Sequence, residues 1–350
     1  MDQARDAMAR SDLLKRLFRG YKAGDQESFL AAAREIVDDE RKKAHVVLAN
    51  ELTKILENGN GKAVHSLERL TGLEPLPKDA DRGAVLAEIR TPERYLADLI
   101  LPEPQRAVLR DVLEEFRRWD VLEANGLCPS HRLLFCGPPG CGKTATSEAL
   151  ATELGLPLLY VRFDAVVSSL LGETAANLRK VFSYAERGSW VVLFDEFDAI
   201  GRSRDDLTEH GELKRVVNSF LQLLDGFRGR SLVIAATNFE QALDPALWRR
   251  FDEVLRFGRP DVAQIEALLQ RLLGRRLAPC VSLVAAARRL EGMAHADVER
   301  VCQDALRHHV LTGTKALDEP DLERAIERQL LRRQTIQQIQ GASEPSVDKE

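Results

Sequence analysis

Several familiar signals are missing from this 350-residue chain. Its five cysteines (Cys128, Cys136, Cys141, Cys280 and Cys302) are scattered, odd in number and without C-x-x-C spacing. They offer neither a disulfide framework nor a zinc site, and fit a reducing cytoplasm. No apolar run is long enough to span a membrane, and the start of the chain leads into an amphipathic pattern rather than an apolar signal core. The expectation is a cytoplasmic protein with no membrane partner. A basic excess is also lacking: 30% of residues are charged and the formal net charge is −5, which argues against a nucleic-acid partner. There is no tandem repeat and no H-E-x-x-H peptidase signature. The 44% hydrophobic content suffices for one or two substantial cores.

What is present is concentrated in one octapeptide, Gly137-Pro138-Pro139-Gly140-Cys141-Gly142-Lys143-Thr144. It follows the apolar run Leu133–Cys136 and precedes the helix-prone run Ala145–Ala151. That strand–loop–helix setting makes G-x-x-x-x-G-K-[ST] a phosphate-binding loop. Its glycines turn backbone N–H groups toward an anion, and the new helix adds the positive end of its dipole. Lys143 can reach the β- and γ-phosphates of ATP, and the Thr144 hydroxyl can ligate Mg²⁺. Cys141 contributes only its backbone, although a thiol at a helix N-terminus is expected to have a lowered pKa and to alkylate readily.

Residues 1–73 read as a helical domain, with Leu13, Leu14, Leu17, Phe18 and Tyr21 at three- and four-residue steps, the stop signal Asn58-Gly59-Asn60-Gly61 and one short further helix through Val64, Leu67 and Leu70. Residues 74–95 read as a linker. Apolar strand candidates at Leu133–Cys136, Leu158–Phe163, Trp190–Phe194 and Leu232–Ala236 alternate with helices, which argues for an α/β fold with a parallel sheet over residues 96–258. Residues 259–332 read as helices only, and 333–350 as a disordered polar tail.

The third strand runs directly into Asp195-Glu196. Paired acids beside a phosphate loop suit hydrolysis: Asp195 as the metal-side acid, Glu196 as the general base for the attacking water. The fourth strand ends in Thr237-Asn238, where an Asn is either a turn former or a ligand for the γ-phosphate.

Taken together, these residues resemble the AAA ATPases, the protein-remodelling branch of the AAA+ superfamily that includes katanin, spastin and the AAA proteases. Gly137–Thr144 matches its Walker A, Val191–Gly201 its Walker B, and Leu232–Asp252 its second region of homology. Leu223–Phe227 is similar to the intersubunit signalling motif, and Gly292–Val298 sits at the G-x-[ST]-x-A-D motif of the lid. The resemblance covers roughly residues 96 to 330. It implies a P-loop NTPase αβα sheet with a C-terminal helical lid, and a homo-oligomer, a hexamer, as the active state. It makes Asn238 the sensor-1 residue and Arg249 and Arg250 the arginine-finger candidates acting on a neighbour's ATP. Gly292 and His295 fall near the adenine, and Leu170 and Leu171 at the first pore loop. There Leu–Leu–Gly stands where an aromatic–aliphatic–Gly is usual, implying a softer grip on a threaded chain. Gln264 stands where the family often has Arg.

The implied activity is ATP hydrolysis coupled to remodelling or partial unfolding of a protein substrate, with any proteolysis supplied by a separately encoded protease, as in bacterial defence. Two alternatives stay open: a nucleic-acid-associated AAA+ switch, and an ATP-gated scaffold for a partner enzyme.

Overall fold

The computed structural model describes residues 31–38, 75–79, 82–167, 171–197, 209–238, 248–279, 281–313 and 316–341, leaving aside the side chains of 164, 171, 172, 209–215, 340 and 341. The chain divides into two compact units, Met1–Leu73 and Glu74–Glu350. In the first, residues 31–38 are helical and bury the adjacent Ala32 and Ala33 together with Val37, one turn further on.

The second unit is built on a six-stranded sheet. In chain order its strands are β1 (Ala87–Arg90), β2 (Arg132–Cys136), β3 (Leu158–Val161), β4 (Val191–Phe194), β5 (Leu232–Thr237) and β6 (Glu253–Arg256). Their spatial order is β1-β3-β4-β5-β2-β6, all parallel except β1, which pairs antiparallel with β3. Helices α1 (Glu103–Arg117), α2 (Trp119–Ala124), α3 (Lys143–Leu154), α4 (Phe163–Val166), α5 (Leu171–Glu186) and α6 (Glu209–Gly226) connect them.

Strand periodicity sorts the side chains into two cores. Leu134, Val192, Phe194, Val233 and Ala235 join one cluster with Phe182, Phe220 and Phe227. Leu133, Phe135, Val191, Leu193, Leu232, Ile234 and Ala236 join the other with Leu109, Val112 and Leu150. A sheet covered on both faces explains why its inner strands read as unbroken apolar runs. Each fully buried aliphatic or aromatic side chain contributes about 1.5–3 kcal/mol, so the central strands are the rigid part of the unit.

Beyond β6 the chain is helical: α7 (Val262–Leu273), α8 (Leu283–Arg289), α9 (His295–Thr312) and α10 (Glu319–Gly341). They enclose a third core around Ile265, Leu269, Leu290, Val298, Val301 and Ile326. Gln264 has a local task here. Its side chain accepts from the Asp261 N–H while Asp261 accepts from the Gln264 N–H, closing a capping box at the start of α7.

Two expectations are corrected. The stretch 74–95, read as a linker, contains β1 and a bridge between Lys78 and Val85. Leu86 and Ala87 are fully buried there, so apolar contacts hold it on the sheet. The stretch from 333, read as a disordered tail, is helical up to Gly341. Its Gln- and Arg-rich sequence has good helix propensity and continues a helix already anchored by Leu322, Ala325 and Ile326.

Candidate functional site

Strand β5 lies between β2 and β4, so the loops leaving the C-terminal ends of all three converge. The turn after β2 is the glycine-rich octapeptide. Gly137 has φ +140, Gly140 φ +73 and Gly142 φ +100. A Cβ on Gly137 would lie 2.0 Å from the Phe257 carbonyl oxygen, so only glycine fits that crossing. The loop is braced on both sides: Gly137 N–H donates to Thr237 O (3.2 Å) and Phe257 N–H to Cys136 O (2.7 Å). Helix α3 then starts at Lys143, its first N–H groups facing the loop.

Lys143 is buried, and its ammonium donates to Gly137 O (2.6 Å), Pro138 O (3.0 Å) and Asn238 Oδ1 (2.9 Å). Thr144 Oγ1 donates to Asp195 Oδ2 at 2.7 Å. Residues from β2, β4 and β5 are thus joined by hydrogen bonds at one point. Next to Asp195, Glu196 is exposed and held at φ +54, its N–H donating to Asp195 Oδ1 at 2.9 Å. A non-glycine residue in this region stores about 1–3 kcal/mol, which the packed Phe194 and Phe197 on either side can sustain. A hydroxyl and a carboxylate in contact fit a Mg²⁺ ion that completes its shell from phosphate and water.

Cys141 corrects a sequence expectation. Its side chain is 2% exposed, and burial pushes the thiol pKa up, outweighing the nearby charges of Lys143 and Arg259 that favour the thiolate. Burial thus opposes the lowering that a helix N-terminus alone would bring.

Of the two arginines, Arg249 is exposed, while Arg250 pairs with Asp225 at the end of α6 (3.1 Å). Two residues on, Asp252 is a partner that sequence reading passed over. Its Oδ2 accepts from the N–H groups of both His131 and Arg132 (2.9 Å each), and its own N–H donates to Arg132 O (2.8 Å). The arginine pair is thereby tied to the first residue of β2. An Asp directly after Arg-Arg-Phe was the available signal.

The lid meets the loop at the start of α9. Ala296 N–H donates to Gly140 O (3.0 Å), and a Cβ on Gly140 would lie 3.1 Å from Ala296 Cβ. Gly292 has φ +76, and its carbonyl accepts from Arg259 (3.0 Å). Both ring nitrogens of His295 are shielded from solvent and make no hydrogen bond among the described residues. Burial holds its imidazole pKa below the ordinary value, with the Ile100 backbone opposing. Leu170 lies outside the described residues, and of Leu171 only the backbone, at the start of α5, is described. No described helix is long and apolar enough to cross a membrane.

Comparison with known proteins places these features in a family. Residues 133–259 match the model of the ATPase family associated with various cellular activities (AAA). The chain is 43% identical over 326 residues to the uncharacterized AAA family ATPase y4kL of Sinorhizobium fredii, covering 93% of this chain and 97% of that protein. It is 38% identical over 226 residues to the ATP-dependent zinc metalloprotease FtsH 3 of Sphaerobacter thermophilus, covering 63% of this chain and 45% of that one. With the ATP-dependent zinc metalloprotease FtsH of Mycoplasmopsis synoviae the identity is 32% over 256 residues, covering 71% and 38% respectively. The chain therefore spans nearly all of the first relative and under half of each of the other two.

Proposed function

Since the chain belongs to the AAA family of ATPases, we propose that it works as an ATP-hydrolysing ring that remodels or partly unfolds a protein substrate. The observation that carries this reading is the hydrogen-bonded convergence of Lys143, Thr144, Asp195 and Asn238 at the ends of three strands. In the proposed cycle Lys143 exchanges its three oxygen acceptors for phosphate oxygens, and the loop's N–H groups hold the β-phosphate. Thr144 and Asp195 would hold Mg²⁺, which would supply positive charge against the phosphates. Asn238 orients water toward the γ-phosphorus, and Glu196 takes its proton as the oxygen–phosphorus bond forms and the β–γ bridge breaks to release ADP. A guanidinium from Arg249 or Arg250 of a neighbouring subunit stabilises the charge that develops in transfer, which makes the hexameric ring the active form.

Gly292 and His295, beside the Ala296–Gly140 contact, form the adenine side of the site. An imidazole held neutral can give or accept a hydrogen bond at a base edge. Leu170 and Leu171 contact substrate in the pore. The FtsH relatives, named as ATP-dependent metalloproteases, favour a protein substrate, and the present chain hands that substrate to a separate protein, such as a protease.

The test is ATP turnover by the purified chain with and without an unfolded protein and with duplex DNA. Stimulation by the unfolded protein, lost in Lys143→Ala and in Glu196→Gln with ATP binding kept in the latter, is the expected result. Stimulation by DNA alone would replace this reading with the nucleic-acid switch. Unstimulated hydrolysis that survives Leu170→Ala and Leu171→Ala alongside full partner activity would replace it with the scaffold.

A further inference from the structure

Away from the nucleotide site, the last two helices of the lid run antiparallel. Gln329 donates to Asp297 Oδ1 (2.8 Å) near the start of α9, and His308 meets Asp321 Oδ1 (2.6 Å) near its end. Along their seam opens a cleft of about 430 Å³. Helix α9 lines it with Arg300 and Arg307, two turns apart on one face, and α10 with Arg328 and Arg332, one turn apart. The carboxylates in its wall are Glu299 and Asp304, and Asp304 is engaged by Arg307 (2.7 Å). Arg300 and Arg328 make no ion pair among the described residues. In a chain of net charge −5, this is a local concentration of guanidinium groups.

The lining includes Ala296, whose N–H donates to Gly140 O of the phosphate loop. It adjoins an apolar hollow formed by Leu306, Val310 and Leu311, with Gln303 and Arg307 lining both. Val310 is 66% and Leu311 86% exposed, a high exposure for adjacent aliphatic residues on an ordered helix. Charge and apolar surface thus follow one another along a single groove.

We propose that this seam is the docking site for an acidic segment of a partner protein, one in which several Asp or Glu residues lead into aliphatic side chains. Guanidinium forks pair with carboxylates through two parallel hydrogen bonds, so Arg300 and Arg328 select acidic side chains. A bare polyanion would satisfy them and leave Val310 and Leu311 in water. A purely apolar segment would desolvate the arginines with nothing opposite them. Only a segment carrying both groups in succession matches the whole surface. The proposal is independent of the hydrolytic cycle, since none of these side chains belongs to it.

The experiment uses the full chain and a fluorescent synthetic peptide in which a run of glutamates precedes a pair of leucines, read by anisotropy. Binding is expected to weaken with salt, and to weaken by about tenfold or more in Arg300→Gln/Arg328→Gln and again in Val310→Ser/Leu311→Ser. Basal ATP turnover should persist in both double variants, which shows that they are folded. A third variant, Arg300→Lys/Arg328→Lys, keeps the charge and should bind more weakly than the parent, because the bidentate fork is gone. Failure of the peptide to bind would overturn the proposal, as would parental affinity in the arginine variant. Inorganic polyphosphate binding as tightly as the peptide, indifferent to residues 310 and 311, would make the seam a polyanion site instead. A fall in oligomer mass on replacing Val310 and Leu311 would assign the groove to a second copy of the chain.

Discussion

Replacing Gly137 by alanine tests the loop geometry most directly. The added methyl would sit 2.0 Å from Phe257 O and 2.8 Å from Phe257 C, both backbone atoms that cannot swing aside. The backbone itself must therefore move, and three costs follow. Alanine at φ +140 is strained by about 1–3 kcal/mol. Shifting residue 257 or the loop breaks the Phe257–Cys136 or Gly137–Thr237 hydrogen bond, at about 0.5–1.5 kcal/mol each. Phe257, 2% exposed and 4.9 Å from the Phe135 ring centroid, must repack. The sum is roughly 2–5 kcal/mol, or a melting-temperature loss on the order of 10 °C. Gly142→Ala is the matched control: its φ of +100 is strained as well, yet no atom lies within 4 Å of the added methyl. Thermal denaturation followed by circular dichroism, with titration of a fluorescent ATP analogue, measures both consequences. Gly137→Ala should lose more stability than Gly142→Ala and bind nucleotide much more weakly. A melting temperature and affinity equal to those of the parent would refute the reasoning.

Three further outcomes are expected. Subunits carrying Arg250→Ala mixed with subunits carrying Lys143→Ala should recover part of the turnover that each lacks alone, since finger removal costs about a thousandfold or more; mixed assemblies that stay inactive would place Arg250 in a structural role with Asp225. Iodoacetamide should label exposed Cys128 and spare buried Cys141, as read by peptide mass spectrometry; equal labelling would contradict the raised thiol pKa. His131 is held below its ordinary pKa chiefly by burial, with the Pro129 carbonyl and Asp252 opposing. A lowered folded-state pKa means the neutral ring contributes stability above about pH 6.5, which is lost as pH falls through the folded value. His131→Phe should therefore flatten the melting-temperature profile on the acid side, and an unchanged slope would show that another group carries it.

The parts legible in the sequence were those with strong local signatures. The inner strands β2, β4 and β5 are buried on both faces, so their apolar runs stand out. The edge strands did not announce themselves. In β6 only Leu255 is buried among Glu253, Val254 and Arg256, and β1 places Glu88 and Arg90 beside one buried alanine. Four-residue edge strands are set by pairing to a neighbour, and that partnership is absent from local pattern. The site was legible as residue types at fixed spacing. Its contacts were not: the Lys143–Asn238 bond joins residues 95 apart in the chain, and Asp252 reaches His131 across 121. The direction of the Cys141 pKa was not legible because its position at a helix end shows in the sequence, whereas the desolvation that raises the thiol depends on tertiary packing.

Strand β2 bears on both halves of the proposed shared site. At its C-terminal end begins the loop that holds a subunit's own nucleotide. At its N-terminal end, Asp252 clamps the segment that carries the proposed arginine fingers. The five residues between span roughly 16 Å of strand held between β5 and β6, with Leu133, Leu134 and Phe135 fully buried. Such a strand behaves as a stiff push-rod. A displacement of the phosphate loop on gain or loss of the γ-phosphate would arrive at the arginine end with little lost to bending, so that in the proposed ring a subunit's nucleotide state would reach its neighbour by translation rather than by local unfolding.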